Sequence, residues 1–127
     1  MSDPFDLLIT GGRIVTPTGI VTGDLGVRGE TIAAIGADLG PAETTIDATG
    51  KYVMPGGVDP HAHIEQMSGM GVMNADTFET ATRSAAMGGT TSVISFAAQP
   101  KGARLADTVA DYSALAQRGA MIDHAFH

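Results

Sequence analysis

The chain has 127 residues, of which 43% are hydrophobic and 17% are charged, a composition typical of a folded globular domain and not of a disordered chain. Its net charge is −7 and it has no cysteine. We therefore expect no nucleic-acid or anionic-membrane partner, which would need a basic surface, and no disulfide framework or thiolate metal site. The start of the chain lacks the pattern of a secretory signal, and no apolar run is long enough to span a membrane, so a cytoplasmic location is the default expectation.

The first part of the chain, residues 5–53, contains short apolar runs separated by glycine and proline. Such punctuation is typical of strands joined by tight turns. The predicted strands cover residues 7–9, 13–15, 20–27 and 31–36, and the first is expected to end at Gly11 and Gly12. We interpret this part as a small antiparallel β unit with a scaffold role.

The pattern changes after Lys51, where strands and helices are predicted to alternate. A strand over 52–63 is followed by a loop, a helix over 77–87, a strand over 90–97, a helix over 104–118 and a strand over 121–127. We expect Asp76 to be the N-cap of the first helix, with Glu79 three residues later as in a capping box. The alternating order predicts parallel strands joined by helical crossovers.

The most informative feature is the pair His61 and His63, two residues apart at the end of the predicted strand and preceded by Gly56, Gly57 and Asp59. Side chains on a strand alternate between its faces, so both imidazoles and the aspartate should lie on one face. Two neutral imidazoles on one face can bind one metal ion, and neutral imidazole is a common zinc ligand. The pair therefore predicts a metal site that activates a water for hydrolysis. The alternative is an ordinary pair of polar residues at a strand end.

Three parallel strands and two helices are too few to close a (β/α)8 barrel, which needs eight of each and about 250 residues. The last predicted strand also has no helix after it. We therefore expect these residues to be the first part of a longer protein or one segment of an interrupted chain.

The chain resembles the cyclic-amidase branch of the metal-dependent amidohydrolases, in particular the dihydropyrimidinases and hydantoinases. Four stretches carry the resemblance, and they follow the order of the family along the chain. They are residues 7–15, residues 46–63 with the sequence IDATGKYVMPGGVDPHAH, residues 88–91 followed by Ser95 and Phe96, and residues 121–127. The second stretch is the most specific signature of the family.

The resemblance implies an α/β fold in which a small β-sandwich domain precedes a TIM-like (β/α)8 barrel. Residues 1–53 would belong to the sandwich, and residues 54–127 would be the barrel as far as its third strand. On this interpretation the two histidines lie at the mouth of the barrel.

The resemblance also implies two divalent metal ions, usually zinc, with His61 and His63 as ligands of the more buried ion. The bridging carboxylated lysine, the other ligands and the catalytic base are expected beyond His127, so no catalytic residue is assigned in this segment. Lys101 lies in a predicted loop and does not match the bridging lysine.

The implied reaction is hydrolysis of a cyclic amide, a dihydropyrimidine or a 5-substituted hydantoin, to an N-carbamoyl amino acid by a metal-activated hydroxide. Asp59 has two candidate roles: to orient an imidazole as a hydrogen-bond acceptor behind the ligands, or only to cap the backbone. His124 and His127 are three residues apart on a predicted strand and should face opposite sides, as core or rim residues and not as ligands.

Two features bear on the substrate. Dihydroorotases resemble this region but carry an arginine in place of Glu65, which binds a substrate carboxylate, so a glutamate argues against that activity. Met67, Met70 and Met73 are candidate substrate-binding residues that would form an adaptable lid over the substituent of the ring. The alternative is a loop packed on a neighbouring subunit.

Other functions stay open at this stage. An allantoinase-like hydrolase of cyclic ureides, a non-catalytic dihydropyrimidinase-like scaffold and a truncated fragment are the alternatives, and the 127 residues alone are expected to be inactive. The resemblance further implies a cytoplasmic homo-oligomer, a tetramer by analogy, that takes a small cyclic amide and binds neither nucleic acid nor membrane.

Overall fold

A computed structural model describes residues 4–127, which divide between Pro55 and Gly56 into two compact units of an α/β fold. The elements of the described chain are β1 (Phe5–Thr16), β2 (Gly19–Arg28), β3 (Thr31–Gly36), β4 (Ala42–Asp47), β5 (Tyr52–Val53), β6 (Gly57–Ala62), α1 (Phe78–Met87), β7 (Thr90–Ser95), α2 (Leu105–Gly119) and β8 (Asp123–Phe126). Neither of these two helices has the length and apolarity needed to cross a lipid bilayer.

The first unit is a five-stranded sheet in the order β3-β2-β1-β4, with β5 also pairing with β1. Strands β1, β2 and β3 are antiparallel neighbours, as predicted. Strands β4 and β5, however, run parallel to β1, so the expectation of a purely antiparallel unit is wrong. After β3 the chain crosses to the other side of β1 and continues in its direction, and glycine spacing carries no information about such a crossing.

The predicted break at Gly11 and Gly12 is also wrong, because β1 continues through both residues. Gly11 has a left-handed backbone with φ of 65°, and the pairing with β2 shifts register between Ile9 and Gly12. The main-chain N–H of Gly11 donates to the carboxylate of Asp24 at 3.0 Å. The two glycines therefore form a bulge within one strand, where the extra residue is accommodated without a Cβ clash.

The single strand predicted over 52–63 is two strands in the structure. The two-residue β5 belongs to the first sheet, whereas β6 begins at Gly57 in the second unit. Pro55 lies between them and has no main-chain N–H to donate to a sheet. Gly56 makes a close approach, because a Cβ at this position would lie 2.1–2.6 Å from side-chain atoms of Thr91. The sequence pattern did not distinguish an interruption of three residues from a continuous strand.

The second unit is a three-stranded sheet in the order β6-β7-β8, in which both pairs of neighbours are parallel. Helix α1 connects β6 to β7, and α2 connects β7 to β8. The predicted alternation of strands and helices and the predicted strand direction are confirmed. The buried core of this unit consists of Ile64, Phe78, Val93 and Ala116.

The N-cap of helix α1 lies one residue later than predicted. Thr77 is the N-cap in place of Asp76, and Thr80 completes the capping box in place of Glu79. The Thr77 hydroxyl accepts from the main-chain N–H of Thr80 at 3.3 Å, and the Thr80 hydroxyl accepts from the main-chain N–H of Thr77 at 3.0 Å. Glu79 instead forms an exposed ion pair with Arg83, one turn along the helix. Aspartate and threonine are both good N-caps, so the sequence offered two adjacent candidates.

Candidate metal centre

The two histidines lie at the carboxyl end of the first parallel strand of the second unit. His61 is within β6 and His63 directly follows it. Their ring centroids are 5.4 Å apart, with 66° between the ring planes. The structure therefore brings the two side chains together as strand alternation predicts.

Ser95, at the end of β7, holds the backbone on both sides of His63. Its buried hydroxyl donates to the main-chain carbonyl of Ala62 and accepts from the main-chain N–H of Ile64, both at 3.3 Å. The main-chain N–H of Phe96 donates to the same carbonyl of Ala62 at 2.9 Å. The end of β6 is thus attached to the neighbouring strand at the point where the histidines project.

The ring of Phe96 contacts three imidazoles. It is nearly parallel to His63, with centroids 4.7 Å apart and 5° between the planes, and it is edge-on to His61, also at 4.7 Å. His127 stacks on it at 4.9 Å, and Nε2 of His127 donates to the main-chain carbonyl of Pro60 at 2.7 Å. The aromatic ring restricts the orientation of both candidate ligands and presents an apolar surface beside them.

The loop after β6 provides a hydrogen-bond partner for one imidazole. Nδ1 of His63 lies 2.9 Å from the side-chain oxygen Oε1 of Gln66. The main-chain N–H of Gln66 donates to Oδ1 of Asn74 at 2.7 Å, and Nδ2 of Asn74 donates to the carbonyl of His63 at 2.6 Å. Sequence reasoning missed both residues. A polar side chain three residues after a candidate ligand was the available signal for Gln66, whereas no spacing rule identifies Asn74.

Asp59 caps the backbone. Its carboxylate oxygen Oδ1 accepts from the main-chain N–H of His61 at 3.0 Å. This hydrogen bond corresponds to the capping role, one of the two alternatives given by the sequence. No hydrogen bond to an imidazole of the described chain is formed by this carboxylate.

Glu65 makes two structural contacts that the sequence did not predict. Its backbone is left-handed, with φ of 50°. One carboxylate oxygen accepts from the main-chain N–H of Phe78, the first residue of α1, at 3.1 Å, and the other accepts from Arg118 at 3.2 Å. The side chain therefore stabilises a helix start and an ion pair. Its charge is directed to these partners, and the argument that it would repel a substrate carboxylate stays a prediction.

The three methionines lie in the loop between β6 and α1. Met67 and Met73 form a two-residue bridge, and the main-chain N–H of Ser68 donates to the carbonyl of Val72 at 2.8 Å. Met70, at the tip, is 88% exposed. Met67 also lines a groove of about 710 Å³ beside the start of α2, and neither of the other two methionines does. The loop is thus a small hairpin that exposes apolar side chains to solvent.

His124 and His127 contact different residues, as their spacing predicts. The ring of His124 lies 6.4 Å from Phe78 and 5.8 Å from Phe126, whereas His127 joins the rings around Phe96. Lys101 is exposed in the turn before α2. Neither histidine is grouped with the pair as a further ligand in the described chain.

The ring separation of the histidine pair is compatible with one shared metal ion. A zinc–nitrogen distance of about 2.0–2.1 Å places a ring centroid about 3.2 Å from the metal, so two rings at a tetrahedral angle have centroids about 5.2 Å apart. The observed value of 5.4 Å fits. Within residues 4–127 no three histidine, cysteine, aspartate or glutamate side chains are grouped to hold a metal. The pair would therefore contribute two ligands to a site that needs others.

Known proteins resemble this chain along almost its whole length. Residues 44–126 match the amidohydrolase family. The D-hydantoinase of Ralstonia pickettii is 48% identical over 122 residues, which are 96% of this chain and 26% of that enzyme. The dihydropyrimidinase of Rattus norvegicus is 36% identical, over 95% of this chain and 24% of that enzyme. A solved structure of a D-hydantoinase matches with a TM-score of 0.91 and 47% identity, over 97% of this chain and 27% of that one. The chain thus spans about a quarter of the length of the relatives it matches.

Proposed function

Since the chain belongs to the amidohydrolase family, a family of metal-dependent hydrolases, we propose that the protein containing it opens a cyclic amide. The proposed substrates are dihydropyrimidines and 5-substituted hydantoins, and the product is an N-carbamoyl amino acid. The observation that supports this proposal most is the His61 and His63 pair, whose ring separation of 5.4 Å suits one shared cation. The similarity to hydantoinases and a dihydropyrimidinase supports the substrate class.

The proposed architecture follows the same relatives. Strands β6, β7 and β8 with helices α1 and α2 are the first three strands and two helices of a (β/α)8 barrel, and β1 to β5 are part of a β-sandwich. The parallel order of the second sheet supports the barrel assignment, because barrel strands are all parallel and their functional residues lie at the carboxyl ends. The assignment places the histidine pair where such enzymes have their active sites.

In the proposed mechanism, His61 and His63 bind a divalent cation, zinc in our proposal, at a centre that takes two such ions. A bound cation of this kind lowers the pKa of a water and polarises the carbonyl that the water attacks. The described residues supply the ligand nitrogens, the hydrogen bond that orients His63 and the apolar face of Phe96 beside both rings. We assign no general base and no bridging lysine within residues 4–127.

We further propose that Met67, Met70 and Met73 contact the substituent of the ring. Their exposed thioether side chains on a short hairpin support this role, because methionine adapts to apolar surfaces of different shape. Met70→Ala is expected to lower kcat/KM for 5-phenylhydantoin more than for unsubstituted hydantoin. Met87→Ala is the matched control, because Met87 is 87% exposed on α1, close to the 88% of Met70. An unchanged ratio of the two kcat/KM values in Met70→Ala would exclude the lid.

The function is tested on the complete gene product. We expect turnover of dihydrouracil or a 5-substituted hydantoin that is lost after chelation and recovered with zinc. His61→Asn and His63→Asn should each lower the bound metal and reduce turnover by at least about 100-fold, whereas His124→Asn, outside the pair, should not. No turnover of any of these rings would contradict the proposal, and turnover of allantoin alone would favour the allantoinase alternative. We further propose that the complete protein is a cytoplasmic homotetramer. Light scattering tests the oligomeric state, and cell fractionation tests the location.

A further inference from the structure

We propose that Gln66 is a positioning residue for the metal centre: it fixes the ring proton of His63 on Nδ1 and so leaves Nε2 as the nitrogen that binds the cation. The inference rests on the proposed function, because it assumes that His63 is a ligand. It assigns a role to a side chain that neither the motif nor strand alternation singles out.

The chemistry of the two groups defines the direction of this hydrogen bond. A neutral imidazole has one N–H and one nitrogen lone pair, and a carboxamide oxygen only accepts. Nδ1 of His63 lies 2.9 Å from Oε1 of Gln66, so Nδ1 carries the proton and donates. The lone pair is then on Nε2, and the tautomer needed for ligation through Nε2 is present before metal arrives. Such a partner behind a ligating histidine also raises the basicity of the ligand.

The position of Gln66 is itself fixed. Its main-chain N–H donates to Oδ1 of Asn74, and the side-chain amide of Asn74 donates back to the carbonyl of His63. One asparagine therefore ties together the two ends of the segment that contains the ligand and its partner. The parallel ring of Phe96 covers a face of the same imidazole. The ring of His63 is thus restrained at its edge and on its face.

His61 provides the contrast. Its ring makes edge contacts with Phe96 and His63, but no hydrogen bond within the described residues engages its ring nitrogens. Of the two histidines, His63 is the one whose tautomer is set by the protein. Loss of the carboxamide should therefore weaken metal binding through His63 alone.

The test measures zinc binding by the complete gene product at buffered concentrations of free zinc. Gln66→Met keeps the length of the side chain and removes the acceptor, and we expect about tenfold weaker binding. Gln66→Glu keeps an acceptor for Nδ1 of His63. The zinc affinity of this variant should therefore lie within about threefold of the wild-type affinity, or be higher. Gln99→Met is the matched control, because the side chain of Gln99 donates to the carbonyl of Ala103 and contacts neither histidine. Its zinc affinity should not change.

Each outcome decides the inference. If Gln66→Met binds zinc like the wild type, the proposed role is wrong. It is also wrong if Gln66→Glu loses as much zinc affinity as Gln66→Met, because this pattern would mean that Gln66 donates to His63. Equal weakening by Gln99→Met would indicate a general loss of structure and also overturn it. Should Gln66→Met fail to fold, a tenfold loss in Gln66→Glu is sufficient to reject the inference. Zinc binding needs no turnover, so a protein that shows this affinity pattern but opens no ring would contradict only the proposed function.

Discussion

The contact of Glu65 with the start of α1 leads to a prediction whose size can be worked out. The first main-chain N–H groups of a helix have no partner within the helix. Glu65 supplies one for Phe78, a residue with no exposed surface. A hydrogen bond from a buried N–H to a charged group contributes about 1.5–3 kcal/mol, and a negative charge at a helix N-terminus adds about 0.3–1 kcal/mol. Glu65→Ala should therefore destabilise this end of α1 by about 2–4 kcal/mol.

The ion pair with Arg118 should contribute much less. The side chain of Arg118 is 67% exposed, so the pair is screened by solvent and is worth at most about 1 kcal/mol. Arg118→Ala is thus the matched comparison, because it removes the ion pair and leaves the helix contact of Glu65 in place. The left-handed backbone of Glu65 does not affect the comparison, since alanine has the same Cβ and meets the same strain.

The assay is hydrogen–deuterium exchange of the peptides that cover α1 in the complete gene product. A loss of about 2 kcal/mol corresponds to about 30-fold faster exchange if the amides exchange by local opening. Glu65→Ala should reach at least this value, and Arg118→Ala should stay within about fivefold of the wild type. The Arg118 effect should shrink in high salt, whereas the Glu65 effect should persist. Equal acceleration by both substitutions would refute the reasoning, because the ion pair would then be the main contribution.

Three other predictions follow from the fold. Gly56→Ala should cost about 1–3 kcal/mol by overpacking, whereas Gly57→Ala, whose Cβ would lie 3.3 Å or more from its neighbours, should cost less; thermal melting of both variants tests the difference. Phe78→Ala should lower the free energy of unfolding by about 3–5 kcal/mol, seen as a fall in Tm, because it leaves a cavity in the core of the second unit. Hydrogen bonds from the hydroxyl and the main-chain N–H of Thr49 lower the pKa of Asp47, so the stabilisation is present above the ordinary aspartate pKa of about 3.9 and is lost as pH falls through the lower folded-state pKa. The difference in Tm between the wild type and Asp47→Asn should accordingly shrink in acid, and a constant difference down to pH 2 would contradict this assignment.

Local patterns predicted the elements of the second unit well. The helices carry apolar residues at the helical period, and the helix over 104–118 differs from α2 by one residue at each end. The predictions failed where two local signals were equivalent. A left-handed glycine such as Gly11 suits a turn and a bulge equally well, so the sequence did not show that these glycines form a bulge. Whether the strand continues is decided by pairing with β2, and this contact is distant in sequence.

The candidate site was predictable in part: the sequence indicated the histidine pair but not the residues that orient it. His61 and His63 lie within one motif, and strand alternation was sufficient to expect them on one face. The residues that orient them come from other places: Ser95 and Phe96 from the next strand and Asn74 from the far side of a hairpin. Their contacts depend on strand register and loop closure, which no single-sequence pattern encodes. The contacts of Glu65 were hidden for the same reason, because its partners Phe78 and Arg118 lie 13 and 53 residues further along the chain.

The hydrogen bonds of the Ser95 hydroxyl limit how the core of this protein can be redesigned for heat resistance. A buried serine is a natural candidate for replacement by an apolar residue when a core is redesigned, but such a change is costly where the hydroxyl has hydrogen-bond partners. Here a single oxygen serves the carbonyl of Ala62 and the amide of Ile64, the two peptide groups that border His63. A library designed for robustness should therefore keep this alcohol unchanged, because its removal would take the acceptor from the main-chain N–H of Ile64 and one of two donors from the carbonyl of Ala62.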